Sequence, residues 1–418
     1  MLKKKETGNP RAAGFVILMA ACLCGIYGFT DLKGSYYQVI RSALSLSDAQ
    51  LGRVWSAFGL TAMVSYVFGG YLADRVSELT IIRCAVLFSA ILHLLFSFLP
   101  PYPVQIVLSG LMGVAAVLAF FPASIKLLTA IGEAQSGSRG SGNILGLYYG
   151  IGGVLAFALQ LIVSQIYAQF TDDVWAFVFL MRAYALLNLF CFALFFLVPV
   201  PKVQSQSRQK ESASAYRQVA ARRDVWLIAL IILCSYTAFR AMTYITPYLT
   251  DVFRMPEAQA IRISVLRMGL LLPAASYLFG RWCLKRGRSS DVIRKGFVLL
   301  ALSCALILLN DRITRSLPAA LLFTTVFICT AAGIKGIALS LISEALIPYG
   351  VRGTATGIVS VIGYSPDLFL YAMVGSWMEH SGVSTYPYLF ALCLALSLAG
   401  WILCRRLAFW IEKEQIDR

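Results

Sequence analysis

Twelve apolar stretches follow one another along the chain, starting near Ala12, Gln50, Ile81, Pro103, Gly140, Val174, Val225, Ala260, Gly296, Leu317, Gly353 and Tyr386. Each is long enough to cross the roughly 30 Å hydrocarbon layer of a bilayer, the ninth being the shortest. Lipid offers no partner to an open backbone N–H or C=O, so uninterrupted stretches of this length must be helices. The chain is expected to be an all-α polytopic membrane protein with twelve transmembrane helices. With 59% hydrophobic and 13% charged residues, it is also too apolar for a soluble domain.

The net charge of +16 does not point to nucleic acid, because the basic residues sit in short segments between the apolar stretches. Lys3, Lys4, Lys5 and Arg11 precede the first stretch, and Lys202, Arg208, Lys210, Arg217, Arg222 and Arg223 lie between the sixth and seventh. Lys285, Arg286, Arg288, Arg294 and Lys295 follow the eighth, and Arg405, Arg406, Lys413 and Arg418 close the chain. The alternate loops hold little more than Arg41, Arg254, Arg312 and Arg315. Positive charge is retained on the cytoplasmic side, so both termini are expected there, in a multi-pass protein of the cytoplasmic membrane. The basic start followed by an apolar stretch has the look of a signal peptide, and the many stretches behind it favour a retained first helix. The ten cysteines fall in or beside apolar stretches without metal-ligand spacing, so small packed residues are expected and no metal or cofactor.

Lys202–Asp224 is the longest polar interruption and divides the chain almost in half. It marks residues 1–200 as one six-helix unit, 201–224 as a cytoplasmic linker and 225–418 as a second unit. The halves repeat. Asp48-Ala49-Gln50-Leu51-Gly52-Arg53-Val54 recurs as Glu257-Ala258-Gln259-Ala260-Ile261-Arg262-Ile263, and Ser65-Tyr66-Val67-Phe68-Gly69 as Ser276-Tyr277-Leu278-Phe279-Gly280. Leu23-Cys24 matches Leu233-Cys234, and Arg139-Gly140 matches Arg352-Gly353. Four matches in order at a nearly constant offset identify structural repeats.

Twelve stretches, two repeats and a basic central linker resemble the major facilitator superfamily. After the second stretch, Gly70-Tyr71-Leu72-Ala73-Asp74-Arg75-Val76-Ser77 is similar to that family's G-x-L-a-D-R-x-G loop, with Ser77 in place of the last glycine. The counterpart Gly280-Arg281-Trp282-Cys283-Leu284-Lys285-Arg286-Gly287-Arg288 has Leu284 where the acid would be. The resemblance implies two pseudo-symmetric six-helix bundles, a secondary transporter working by alternating access, and a gating role for Asp74 and Arg75 as a cytoplasmic latch. It further implies that helices one, four, seven and ten line a central cavity, while three, six, nine and twelve face lipid. Gly146-Leu147-Tyr148-Tyr149-Gly150-Ile151-Gly152-Gly153 has glycines like those of the family's antiporter motif but lacks its proline, and close helix packing is the expected use.

Charges inside apolar stretches are costly and so are the candidate site. Within Leu233–Tyr248, Arg240 lies about 21 Å from Trp226 along a helix, near the midplane, with Tyr236, Tyr244 and Tyr248 at four-residue steps on its face. Lys335 lies about 27 Å beyond Leu317 among Ala331, Ala332 and Gly336. Arg240 and Lys335 are expected to hold an anion, and Tyr27, Tyr148, Tyr149, Tyr236 and Tyr244 to hydrogen-bond it or stack on it. Asp31 precedes Arg240 by 209 positions, the offset that relates Asp48 to Glu257, so it is the expected pseudo-equivalent and a coupling or gating acid. Lys33 points elsewhere. Asp367 follows Pro366 at an expected kink and either takes a proton or cation or neutralises a neighbouring lysine. Arg53 and Arg262 are expected to be interfacial, beside Asp48 and Glu257; Arg267 lies deeper; Arg182 is a local structural charge; Lys126 snorkels to the interface. His93 and His380 show no partner spacing.

With no nucleotide-binding loop or nucleophile elbow, neither a pump nor an enzyme is indicated. The expected function is secondary active transport of a small organic anion bearing carboxylate or phosphate, by proton symport or anion exchange, in a monomer surrounded by lipid. The alternatives are a proton-coupled exporter of amphipathic drugs or lipids and a membrane sensor that keeps this fold.

Overall fold

The computed structural model describes residues 10–136, 138–170, 172–199, 217, 219–286, 288–345, 347 and 352–416. Among these, the helices form twelve antiparallel crossings, here α1–α12. In the first half, α1 comprises Pro10–Ile26, Gly28–Asp31 and Tyr37–Ala43, and α2 is Asp48–Arg75. Helix α3 is Glu78–Phe96, and α4 comprises Tyr102–Gly113, a π-helical stretch Val114–Phe120 and Phe121–Ser136. Helices α5 and α6 are Ser138–Phe170 and Asp173–Leu194. In the second half, α7 comprises Arg223–Ala241, a 3-10 turn Met242–Tyr244 and Ile245–Phe253. Helix α8 comprises Glu257–Leu266, a π-helical Arg267–Leu271 and Leu272–Arg286. Helix α9 is Ser289–Arg312; α10 is Leu317–Ile337; α11 comprises Arg352–Gly363 and Pro366–Ser381; α12 is Thr385–Ile416. Most of the expected 201–224 linker lies outside the described residues.

The ninth crossing is not short. It begins at Ser289, seven positions before the apolar stretch, because its first turns are polar and carry an Asp291–Arg294 ion pair of 2.9 Å one helical step apart. Polar side chains at an interface do not stop a helix. Composition marks only the part inside lipid.

Packing displays the repeat. In the first half α2 packs on α4, α3 on α6, and α1 on α5 and α6; in the second half α8 packs on α10, α9 on α12, and α7 on α11 and α12. Each of these contacts has its equivalent in the other half, giving two pseudo-symmetric six-helix bundles. The bundles meet where α2 crosses α11 and α5 crosses α8, again an equivalent pair. Buried Tyr, Phe and Trp side chains such as Tyr36, Trp55, Tyr148, Tyr184, Tyr248 and Tyr371 fill the interiors.

The breaks in α1 and α7 also correspond. An offset of 209 carries Leu32–Tyr36, where α1 leaves the helix, onto Ala241–Ile245, where α7 tightens into its 3-10 turn.

One side of the molecule carries residue 10 and the α2–α3, α6–α7 and α10–α11 connections; it is called the terminal side here, and the opposite one the far side. On the far side the bundles are tightly joined. A Cβ on Gly52 would lie 2.2 Å from Tyr371 O, one on Gly59 2.0 Å from Asp367 O, and one on Gly375 2.3 Å from Asp48 O. Only glycine lets backbone meet backbone so closely. The far-side ends of α1 and α7 are tied as well. Gln38 Nε2 donates to Thr250 Oγ1 at 2.6 Å and Asp251 Oδ1 at 3.1 Å, and Gly34 O accepts from Thr246 Oγ1 and from Ser264 Oγ at 2.8 Å. By contrast, a Cβ on Gly146 or Gly150 of α5, Gly280 of α8 or Gly357 of α11 would meet nothing within 4 Å. Close packing explains Gly152, which lies against Leu23 and Ala20 of α1, but not the other glycines of that stretch.

Removing the Gln38 side chain takes away a hydrogen bond to a carboxylate, a class worth about 1.5–3 kcal/mol. Gln38→Ala is therefore expected to speed amide hydrogen exchange in Tyr37–Ala43 and Ile245–Phe253 together. An unchanged rate in the α7 segment would show that the contact does not hold the bundles.

Candidate functional site

At the level of the paired breaks lies a cavity of about 380 Å³ between the bundles. Its wall includes Thr30, Asp31 and Lys33 of α1, Tyr149, Phe157 and Gln160 of α5, Phe239, Arg240 and Thr243 of α7, and Met268 of α8. The breaks explain the position, because a chain leaving helical geometry in lipid survives only where it lines a cavity or is covered by protein.

Arg240 is committed to a partner. Its Nε lies 2.6 Å from Asp367 Oδ1, and Nη2 donates to Oδ2 at 2.8 Å. The Nε hydrogen goes instead to Tyr236 Oη at 2.7 Å, and that hydroxyl donates to Asp367 Oδ2 at 2.7 Å, closing a ring of three side chains. Helix ends favour both charges. Arg240 is in the last turn before the 3-10 break of α7, and Asp367 is in the first turn after Pro366 restarts α11. The peptide dipoles there stabilise a cation and an anion respectively. Of the two readings of Asp367, neutralisation is the one seen here, with an arginine in the place of a lysine.

The pseudo-equivalent Asp31 does not pair with Arg240. It is exposed on the cavity wall, with no ion pair or side-chain hydrogen bond to its carboxylate among the described residues. Lys335 is exposed, its Nζ 4.9 Å from the Phe239 ring centroid, beside the cavity but not on its wall. Lys33 is only 3% exposed, with its ammonium against three aromatic rings. Among the described residues the site thus gathers three cations, Arg240, Lys33 and Lys335, and two carboxylates, Asp31 and Asp367. One positive charge is left over.

The tyrosines divide. Tyr149 is on the cavity wall and Tyr236 belongs to the arginine ring. Tyr27, Tyr148 and Tyr244 are not on the wall. Tyr27 Oη reaches Ala116 O of α4 at 3.5 Å, Tyr148 is buried in the first bundle, and Tyr244 Oη donates to Tyr371 O at 3.3 Å. Four-residue steps predict one face only while the helix is α; the 3-10 turn at Met242–Tyr244 has about three residues per turn and rotates Tyr244 and Tyr248 away from Arg240. Tyr248 instead bonds Asp311 in the second bundle.

Other expected charges also change partner. Asp48 pairs with Arg41 at 2.9 Å and takes the Tyr37 hydroxyl, leaving Arg53 exposed; Arg262 and Arg182 are exposed. Lys126 reaches Glu78 at 3.0 Å, across to the start of α3. Arg267, 5% exposed, braces the π-helical turn of α8 by donating to Leu321 O of α10 at 2.8 Å. His93 is buried with Nδ1 2.8 Å from Ser89 O, and His380 is exposed. The side chains of Asp74 and Arg75 lie outside the described residues.

The wall also holds Thr30, Gln160 and Thr243, which no pattern in the sequence groups with Arg240, and Lys33. Gln160 carries a signal, as a lone amide within Phe157-Ala158-Leu159-Gln160-Leu161-Ile162. For Lys33 the signal is Gly34-Ser35 directly after it, which marks a helix break in mid-span.

A family model described as Major Facilitator Superfamily matches residues 15–370. Inner membrane protein YqcE of Escherichia coli (strain K12) is 24% identical over 356 residues, covering 82% of this chain and 82% of that protein. Inner membrane protein YihN of the same organism is 21% identical over 401 residues, covering 90% and 91%. Among solved structures, a bacterial homolog to the human lysosomal transporter Spinster, in an inward-facing and unoccupied conformation, superposes with a TM-score of 0.72 at 15% identity, over 97% of this chain and 99% of the other. The nucleoside transporter NupG gives 0.73 at 15% identity, over 96% and 98%. These structural likenesses establish the fold.

Proposed function

The chain belongs to the Major Facilitator Superfamily and is a membrane transporter, and from that premise we propose that it carries a small organic anion by alternating access. The observation that supports this most is the unbalanced charge around the cavity: Arg240 is held by Asp367, and among the described residues Asp31 is left as the one carboxylate for both Lys33 and Lys335. An unpaired cation in lipid is costly, so an anionic ligand would stabilise the site it enters. Gln160, Thr30 and Thr243 offer hydrogen bonds to the ligand, and Phe157, Phe239 and Tyr149 offer an apolar wall for its body.

The basic loops assign both termini to the cytoplasm. The far side is then periplasmic and the tight α2–α11 crossing is the closed outer gate, so the conformation is inward-facing, the state named for the Spinster-like relative. Opening would rock the bundles about the cavity, as repeats of this kind permit. Asp31 is the coupling acid in this reading, since it alone of the two carboxylates is free to take a proton.

Thermal unfolding of the purified protein against carboxylates, phosphate esters, neutral sugars and cationic amphiphiles tests the reading. A ligand at 100 times its Kd stabilises the native state by about 2.7 kcal/mol. Stabilisation is expected from anions and its loss in Lys335→Ala. Stabilisation by cationic amphiphiles alone would overturn the anion reading, and ligand binding without flux in liposomes would indicate a sensor. With a proton gradient, Asp31→Asn is expected to abolish accumulation while counterflow continues. Loss of both would remove Asp31 from coupling.

A further inference from the structure

Lys33 stands in the segment between Asp31 and Tyr37 where α1 is not α-helical, so its side chain is not held to a helix face. Its Nζ lies 4.3 Å from the ring centroid of Tyr371, 5.4 Å from Phe58 and 5.6 Å from Trp55. Trp55 and Tyr371 themselves meet edge to face at 5.6 Å, closing the cage. No carboxylate or hydrogen-bond acceptor holds this ammonium among the described residues. Aromatic faces attract a cation without neutralising it, so the cage stores a charge that an anion would hold more firmly.

The cage is divided between the bundles. Trp55 and Phe58 belong to α2 of the first, and Tyr371, the nearest face, belongs to α11 of the second. It lies in the crossing where Gly52 meets Tyr371 O and Gly59 meets Asp367 O, the contact that must separate if the far side opens. Separation removes the nearest ring from Lys33. The cavity, on whose wall Lys33 already stands beside Asp31, then offers it a carboxylate that is not already paired, whereas Asp367 is held by Arg240.

We propose that Lys33 joins Lys335 as an anion-binding cation, caged while the far side is closed and delivered to the cavity when it opens. The ligand would then meet more positive charge in the far-open state than in the terminal-open one, a built-in bias to bind from the far side and release at the terminal side. The inference rests on the alternating-access anion reading but can be tested without any substrate.

The probe is reductive methylation of lysine by formaldehyde and cyanoborohydride, read at Lys33 by mass spectrometry. The closed state is held by bridging Ser47→Cys/Glu379→Cys with a flexible bis-maleimide, which restores the reach of the lost glutamate side chain; Ser47 Oγ and Glu379 Oε2 lie 3.4 Å apart at the far end of the α2–α11 crossing. The open state is favoured by Gly59→Val, with opening verified as slower bis-maleimide bridging of the same cysteine pair. Methylation of Lys33 is expected to be at least tenfold faster in the open protein. In the bridged protein Tyr371→Leu should raise it and Tyr371→Phe should leave it low. Equal protection in both states would show that Lys33 is never delivered, and equal reaction in both would show that the cage does not shield it. Either result overturns the proposal, whereas a failure of the anion reading would appear only in the ligand screen.

Discussion

Arg240→Ala is expected to abolish anion binding and to lower the unfolding temperature, and Asp367→Ala to destabilise the protein as well. Each single replacement leaves one member of a tight ion pair without its partner. Breaking such a pair when buried costs about 3–5 kcal/mol, and the 25% and 15% exposure of these two side chains places them toward or below the lower end of that range. The double variant Arg240→Gln/Asp367→Asn removes both charges while keeping polar groups for Tyr236, so its stability is expected to return most of the way. Binding separates the two roles of the arginine. If Arg240 touches the ligand, the double variant stays inactive in the anion stability screen although it folds. Recovery of binding with recovery of stability would show that the pair only builds the cavity and that Lys33 and Lys335 supply its charge. Tyr236→Phe gives an intermediate case, because it loses the hydroxyl that accepts from Nε and donates to Oδ2 while leaving the ion pair.

Gly59→Val should have the largest conformational effect of any single change. A Cβ there falls 2.0 Å from Asp367 O and 2.4 Å from its carbonyl carbon, and backbone cannot yield as a side-chain tip can. Overpacking of this kind costs about 1–3 kcal/mol in the state that contains the contact. If the contact exists only when the far side is closed, the closed-to-open ratio falls by about tenfold for each 1.4 kcal/mol. The measurement is the rate at which a bis-maleimide bridges Ser47→Cys/Glu379→Cys. Gly146→Val on α5, where a Cβ meets open space, provides the comparison and should leave that rate unchanged. Equal slowing by both variants would mean that the crossing responds to general destabilisation. Gly269 is a weaker case, since its clash is with the side chain of Phe157, which can turn aside.

Asp367 and Asp31 show where reading the chain reached its limit. Pro366 announced a break in α11, and the break is there. That a carboxylate just past it meets an arginine 127 positions earlier could not be read from either stretch, because the contact depends on how α7 and α11 turn about their axes when packed. The repeat pointed to Asp31 instead. It does bring Asp31 and Arg240 onto the same cavity wall, but pseudo-equivalence places two residues at matching positions about an axis and does not put them in contact. Tyr244 failed for a local reason, since a single 3-10 turn is enough to rotate everything beyond it. The jammed glycines of α2 and α11 look in sequence like the unpacked ones of α5.

The sequence by itself determined the membrane-spanning character, the number of crossings and the two-fold repeat. Those properties follow from hydropathy and from a rise of about 1.5 Å per residue, both of which are local. Only the tertiary structure decided which acid holds Arg240, which tyrosines reach the cavity, that Lys33 is caged between the bundles and which side is closed. Each of those depends on the rotation of one helix against another far away in the chain, set by close packing of side chains and by breaks whose angular effect a linear pattern does not record.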